Sequence, residues 1–344
     1  MAGNKPKIRS ASGKKRELAR TVGITSTIPV EACFAAELAP ADLNNRFIAS
    51  PDASGLVDFA ERAGVPASVC NWIKGIYAVC MRENLPKVLC VTGGDCSNSI
   101  ALMELLKHEG FETLAFSYPY ARERSALKKE IEKLANSLGT TFKETEEWFG
   151  RLMPLRVKLK RLDEMTWKSG KVTGGENHSW LVASSDFRGN PSGFEKDLDA
   201  FLKTAEVRAS EHGRVRLAYA GVPPILNGLY EFVEGCGGRV VLNETQRAFS
   251  MPYDADSIVD AYLAYTYPYD VFHRIEDLKK ELRAREVEGV IHYVQNACHR
   301  QISDKILRAE CGLPVLTIDA DRPGTLGAQH ANRIEAFIEI LRNR

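Results

Sequence analysis

No C-x-x-C pair occurs among the eight cysteines. That absence excludes a zinc ribbon and a ferredoxin-type cysteine run. No G-x-x-x-x-G-K-S/T loop is present either, so the chain is not expected to hydrolyse nucleotide itself. Gly93-Gly94-Asp95 is a poor match to the dinucleotide fingerprint G-x-G-x-x-G. No apolar run approaches the ~20 residues of a membrane-spanning helix. The formal net charge is only +1, which gives no global field toward nucleic acid or a membrane surface. The N-terminus lacks an apolar h-region, so no signal peptide is expected. The expected compartment is the cytoplasm, where thiols stay reduced and a group of cysteines reads as metal or redox chemistry before disulfides.

What is present is an ordinary globular composition, 44% apolar and 26% charged over 344 residues. At this length two α/β domains are expected. Residues 1–20 carry Lys5, Lys7, Arg9, Lys14, Lys15, Arg16 and Arg20 with few apolar side chains, a solvated basic tail or a docking arm for an acidic partner. Helices are predicted over 29–38, with Thr27 as N-cap and Pro29 in the first turn, over 51–64, closed by Gly64, and over 66–81, with Cys70 in its first turn. A strand over 87–92, a Gly-Gly turn holding Cys96, a helix over 97–109 and a strand over 113–117 make a parallel α/β unit. Residues 124–212 read as mostly helical, interrupted by loops over 169–178 and 186–193. A second unit has strands over 215–220, 239–243, 289–294 and 314–318 and a last helix over 331–341. The expected domains are the basic tail, an N-terminal α/β domain over 21–123, a helical linking region over 124–212 and a C-terminal α/β domain over 213–344. The fold class is therefore α/β, two Rossmann-like parallel-sheet domains joined by a helical region. The two units are candidates for distant structural copies.

Ligands of open parallel sheets bind outside the carboxyl ends of the strands. The strand-end turns of the second unit, over 221–224, 244–247, 295–298 and 319–324, are expected to converge there. Cys70, Cys96 and Cys298 lie in polar turns, beside Asn71, Asp95, Ser97 and His299. Three thiolates at one cleft would make a soft metal site with a fourth position open. Cys33, Cys80 and Cys90 fall at apolar positions and read as core, and Cys236 and Cys311 read as structural at helix ends away from the cleft. Glu31 and Glu244 are candidate general bases, against the alternative of helix-start carboxylates. His178 and His299 are candidate proton donors near neutral pH. Lys74, Arg247, Arg300 and Arg322 are candidates for an anionic substrate or for the sulfides of a cluster, and Trp72 and Trp180 for packing.

An ordered set of motifs runs along the chain. It begins with Pro29-Val30-Glu31 before an Ala-rich helix, Val69-Cys70-Asn71-Trp72-Ile73-Lys74, and Gly94-Asp95-Cys96-Ser97-Asn98. Val222-Pro223-Pro224, Ala297-Cys298-His299, and residues 319–324 before Arg333-Ile334-Glu335-Ala336-Phe337 complete it. In these motifs the chain resembles the 2-hydroxyacyl-CoA dehydratase / benzoyl-CoA reductase family over roughly residues 22–342, with a likeness to 2-hydroxyglutaryl-CoA dehydratase D-components. The resemblance implies that Cys70, Cys96 and Cys298 ligate a [4Fe-4S] cluster in the cleft between the two domains. It implies an ATP-dependent iron–sulfur activase as partner and a dimer, with a sister subunit or with itself. The implied activity is that of an (R)-2-hydroxyacyl-CoA dehydratase-like lyase or an ATP-dependent reductase component. Such a component performs anaerobic radical dehydration or reduction of a small molecule, typically a CoA thioester. A proton beta to a carbonyl is too weakly acidic for an ordinary base, and in the dehydratases an added electron, giving a ketyl radical, inverts that polarity. The chain departs from relatives carrying a double-cubane cluster, because residues 23–25 and 243–250 hold no cysteine. His299-Arg300 stands where the dehydratases have Asp-Pro, which with the short chain marks a divergent branch. Two other readings are a non-catalytic electron-relay or assembly subunit with the same cluster, and a zinc-binding or metal-free α/β scaffold.

Overall fold

The computed structural model describes residues 19–211 and 214–344, so most of the basic tail expected over 1–20 lies outside the described residues. The first half contains β1 (Thr21–Ile24), α1 (Val30–Ala35), β2 (Ala39–Asp42), α2 (Leu43–Ile48), α3 (Ala53–Arg62), α4 (Asn71–Glu83), β3 (Lys87–Gly93), α5 (Asn98–His108) and β4 (Glu112–Ser117). Four helices follow: α6 (Arg124–Ser137), α7 (Phe142–Trp167), α8 (Gly174–Ala183) and α9 (Pro191–Glu206). The second half runs β5 (Val215–Gly221), β6 (Leu226–Asn227), α10 (Leu229–Gly235), β7 (Gly238–Asn243), α11 (Glu244–Phe249), α12 (Ile258–Ala264) and α13 (Val271–Ala284). It ends with β8 (Gly289–Gln295), α14 (Asp304–Glu310), β9 (Val315–Ala320), β10 (Gly324–Thr325) and α15 (Ala328–Arg342).

Two four-stranded sheets form, ordered β2-β1-β3-β4 and β7-β5-β8-β9, and every pairing in them is parallel. Counted within its own unit, each sheet has the order second, first, third, fourth. The connection therefore reverses direction between β1 and β3 and again between β5 and β8, the crevices where doubly wound sheets bind ligands. Parallel sheets are covered on both faces, and the period-2 alternation shows it here. Leu217 and Tyr219 of β5 join a core shared with Val88 and Cys90 of β3 and with α4, whereas Ala218 and Ala220 face α13 through Leu278 and Leu282. Val22, Ile24, Leu89 and Val91 pack instead with α7, α9 and residues 248–269. No helix among the described residues is long and apolar enough to cross a membrane.

The α/β class and both parallel sheets follow the sequence expectation, but several local expectations fail. The strands β1 and β2 were not anticipated. Each has four residues, and Pro40 in β2 reads against a strand until its edge position is known. The helix expected over 29–38 is only α1, because Glu37 turns left-handed (φ 56°) and Leu38 N–H closes on Cys33 O. Its N-cap is Pro29, not Thr27. Cys70 is not in the first turn of α4 but is its N-cap (ψ 133°), its carbonyl accepting the Lys74 N–H. The loop expected over 169–178 gives way to α8 at Gly174, started by a Thr173/Glu176 capping box legible in T-x-x-E.

Candidate functional site

A cavity of about 340 Å³ lies at the carboxyl ends of both sheets. Thr25–Thr27 after β1 and Asp95–Cys96 after β3 line it from one side, Val222–Pro224 after β5 and Gln295–Arg300 after β8 from the other. Both topological switch points thus open into one space. Cys70, Cys96 and Cys298 all line it. Gly94, at φ 86°, makes the turn before Cys96, where a Cβ would meet Pro268 and Tyr118.

Each cysteine sits just before or at a helical turn, where backbone N–H groups of the residues that follow favour its charged form. Those of Trp72 and Ile73 act to lower the Cys70 thiol, those of Ser99 and Asn98 the Cys96 thiol, and that of Arg300 the Cys298 thiol. Burial nevertheless pushes all three thiols up, Cys70 to about 12, so without a bound metal they hold their protons. Among the described residues no three of His, Cys, Asp or Glu are gathered tightly enough for a single metal ion. A four-iron cube presents separate corners, so three soft donors spread around one cavity suit a cluster better than a lone zinc.

Two arrangements fix these loops. Asn71 Nδ2, beside Cys70, donates to the Asp321 carbonyl (2.9 Å) and carboxylate (2.8 Å), and Gln295 Nε2 donates to the same carbonyl (2.7 Å). The Cys70 turn of one sheet and the β8 end leading to Cys298 in the other are thereby tied to one peptide group. Arg300 stacks on Tyr267 (4.2 Å) and donates to the carbonyls of Tyr267 (2.8 Å) and Gly94 (3.3 Å), linking the Cys298 and Cys96 turns.

A family model described as 2-hydroxyglutaryl-CoA dehydratase, D-component, matches residues 25–341. The chain belongs to this dehydratase D-component family. A comparison with curated proteins finds no match.

Not every expected site residue of this D-component family member reaches the cavity. Glu31 is fully buried away from it, paired with Arg156 (2.5 Å) and accepting from Tyr262 Oη (2.9 Å). Glu244 is also absent from its lining. Arg274 grips it with two bonds (2.5 and 2.7 Å), and Gly221 N–H donates to it. Burial pushes Glu244 up, but Arg274 and these bonds more than offset that and hold it below the usual carboxylate range. Glu244 so held is a poor base, and neither glutamate lines the cavity. His178 and His299 do line the cavity, yet burial pushes both down, His178 to about 4, and Arg300 adds to the effect at His299. Both rings are neutral at pH 7, so neither stores a spare proton. Lys74 is neutralised by Glu61 (2.7 Å), Arg247 by Asp277 and Glu281, and Arg322 by Asp58. Of the four expected cations only Arg300 lines the cavity. Trp72 lines it too, while Trp180 packs edge-on against Phe194.

The sequence reading missed one wall. Asp42 ends β2, Asn44 and Asn45 follow it, and all three line the cavity. Asp42 accepts from Ser185 Oγ (2.7 Å) and from the Asn44 backbone (2.9 Å), and its own N–H donates to Asp186 (2.7 Å). Recognising β2 would have counted its terminal turn with the other strand ends.

Proposed function

We propose that this D-component family member is the iron–sulfur component of a 2-hydroxyacyl-CoA dehydratase-like system, with a [4Fe-4S] cluster held by Cys70, Cys96 and Cys298. The observation that carries this is the convergence of three cysteines, from three separate loops, on one cavity, each before a turn whose N–H groups favour a charged sulfur. When bound, the cluster supplies a low-potential electron and an open coordination position. Metal binding would displace the three thiol protons that burial retains. The waiting N–H donors, and Arg300 beside Cys298, would then meet sulfurs carrying negative charge, where such bonds are strongest.

The rest of the cavity is suited to a small polar substrate. Trp72 Nε1, Arg300 Nε and Thr27 Oγ1 are buried with no hydrogen-bond partner, and all three residues line it. Buried donors of this kind are normally satisfied, and the oxygens of a 2-hydroxyacyl thioester would satisfy them. His299 and His178, being neutral, would orient such oxygens rather than protonate them. The electron donor in this reading is an ATP-dependent iron–sulfur activase, and the working unit a dimer with a sister subunit or a second copy.

The test is purification without oxygen, followed by assay of iron and acid-labile sulfide and by EPR after reduction, with and without a 2-hydroxyacyl-CoA. About four irons per chain and a spectrum altered by the thioester are expected. The same iron with an unaltered spectrum would favour an electron-relay or assembly subunit. No iron after anaerobic reconstitution would overturn the cluster assignment.

A further inference from the structure

The charged residues lining the cavity are unbalanced. Asp42, Asp95 and Glu231 stand against Arg300 alone among the described residues. Arg300 already spends its Nη2 on two carbonyls and lies at the cysteine end, beside Cys298. The other cations that the sequence places near these turns are each paired with carboxylates outside the cavity. Asp42 is almost fully buried and is held by Ser185 and Asn44, with the equally buried Asp186 directly behind it. Among the described residues no cation lies within ion-pair distance of either carboxyl. Beside Asp42 the walls are amide and apolar, with Asn44, Asn45, Ile48 and Val182.

An anionic group buried without a partner is strongly disfavoured, and a like charge opposite it adds to the penalty. Burial pushes Asp42 and Asp186 up, so part of this pair is protonated near neutrality. Of the two, Asp186 is the one raised to about 7, while donors from Ser185 and Asn44 favour the charged Asp42, which meets a bound carboxylate as a like charge. An acyl chain with a hydroxyl, an amide or only hydrocarbon meets no such penalty.

We propose that the cavity takes an uncharged acyl group and that Asp42 is the specificity residue that rejects a terminal carboxylate. The proposal rests on the acyl-thioester reading given above and names its substrate class. It concerns only the group lodged in the cavity, so the phosphates of CoA lie outside its scope.

The experiment is calorimetric titration of the anaerobically purified holoprotein with 2-hydroxypentanoyl-CoA and with 2-hydroxyglutaryl-CoA, which differ at the chain end. The wild type is expected to bind the neutral chain at least about tenfold more tightly, the scale of one uncompensated like-charge contact. Asp42→Asn, which keeps an acceptor for Ser185 and Asn44, is expected to shrink that ratio several-fold. Equal or tighter binding of the glutaryl ester by the wild type overturns the proposal, and that result stands even if the variant does not fold. A preference for the neutral chain that survives in a folded Asp42→Asn overturns the role of Asp42. Binding of neither ester overturns the acyl-thioester reading itself, and the proposal with it.

Discussion

Replacing Asp186 by Asn should stabilise this protein at alkaline pH and not at acid pH. The Asp186 carboxyl is buried, accepts the Asp42 N–H and feels the Asp42 charge; the cation that offsets this, Arg46, is itself paired with Glu83. Burial first, and then Asp42, pushes it from an ordinary 3.8 up to about 7. Between about pH 4 and 7 the folded chain therefore keeps a proton that the unfolded chain has released. Stability must fall as pH rises through that window. At about 1.4 kcal/mol per pH unit, ionised Asp186 costs roughly 4 kcal/mol at pH 8. Asparagine stays neutral throughout. Its single carbonyl replaces the two oxygens that accept from Asp42 N–H and Arg188 N–H, so it loses about one hydrogen bond, about 1 kcal/mol. The variant should be less stable than wild type by about 1 kcal/mol near pH 4 and more stable by roughly 3 kcal/mol near pH 8. Urea unfolding at both pH values, with m-values checked for equality, measures this. A variant less stable than wild type by the same amount at both pH values would refute the reasoning.

The sulfur assignments separate cleanly by substitution. Cys298→Ser should lose most of the iron, whereas Cys90→Ala, a change in the fully buried core of β3, should keep it and cost about 1 kcal/mol in stability. Iron per chain and a melting curve decide the matter. Asn71→Ala removes both bonds to Asp321, about 2–3 kcal/mol of local stabilisation. It should lower cluster retention more than global stability, and unchanged iron after dilution would argue against the clamp. Glu31→Gln should cost about 3–5 kcal/mol by leaving Arg156 unpaired. A second change, Arg156→Met, should recover much of it, and the double variant should bind iron normally if Glu31 serves packing alone.

The local signals in this chain were short-range and therefore legible. The strands over 215–220 and 289–294 appear within a residue of expectation, because an apolar run bounded by Gly or polar turns has few other uses in a parallel sheet. Cys33, Cys80 and Cys90 are buried as their apolar neighbours implied. Cys70, Cys96 and Cys298 line one cavity, as polar turns at strand and helix ends suggested. What sequence could not rank was the pairing of charges. Glu31 and Glu244 were equally plausible as bases, and only the folded chain shows Arg156 and Arg274 against them. No sequence motif singled out Asp42, and only the edge strand β2 carries it to the cavity wall next to Asp186. The sequence by itself determined the α/β class, the longer strands and the three cysteine turns, because those depend on periodicity and on residues a few positions apart. The tertiary structure alone decided which charges cancel and which line the cavity, because pairs such as Glu244–Arg274 and Glu31–Arg156 join residues 30 and 125 positions apart and leave no local trace.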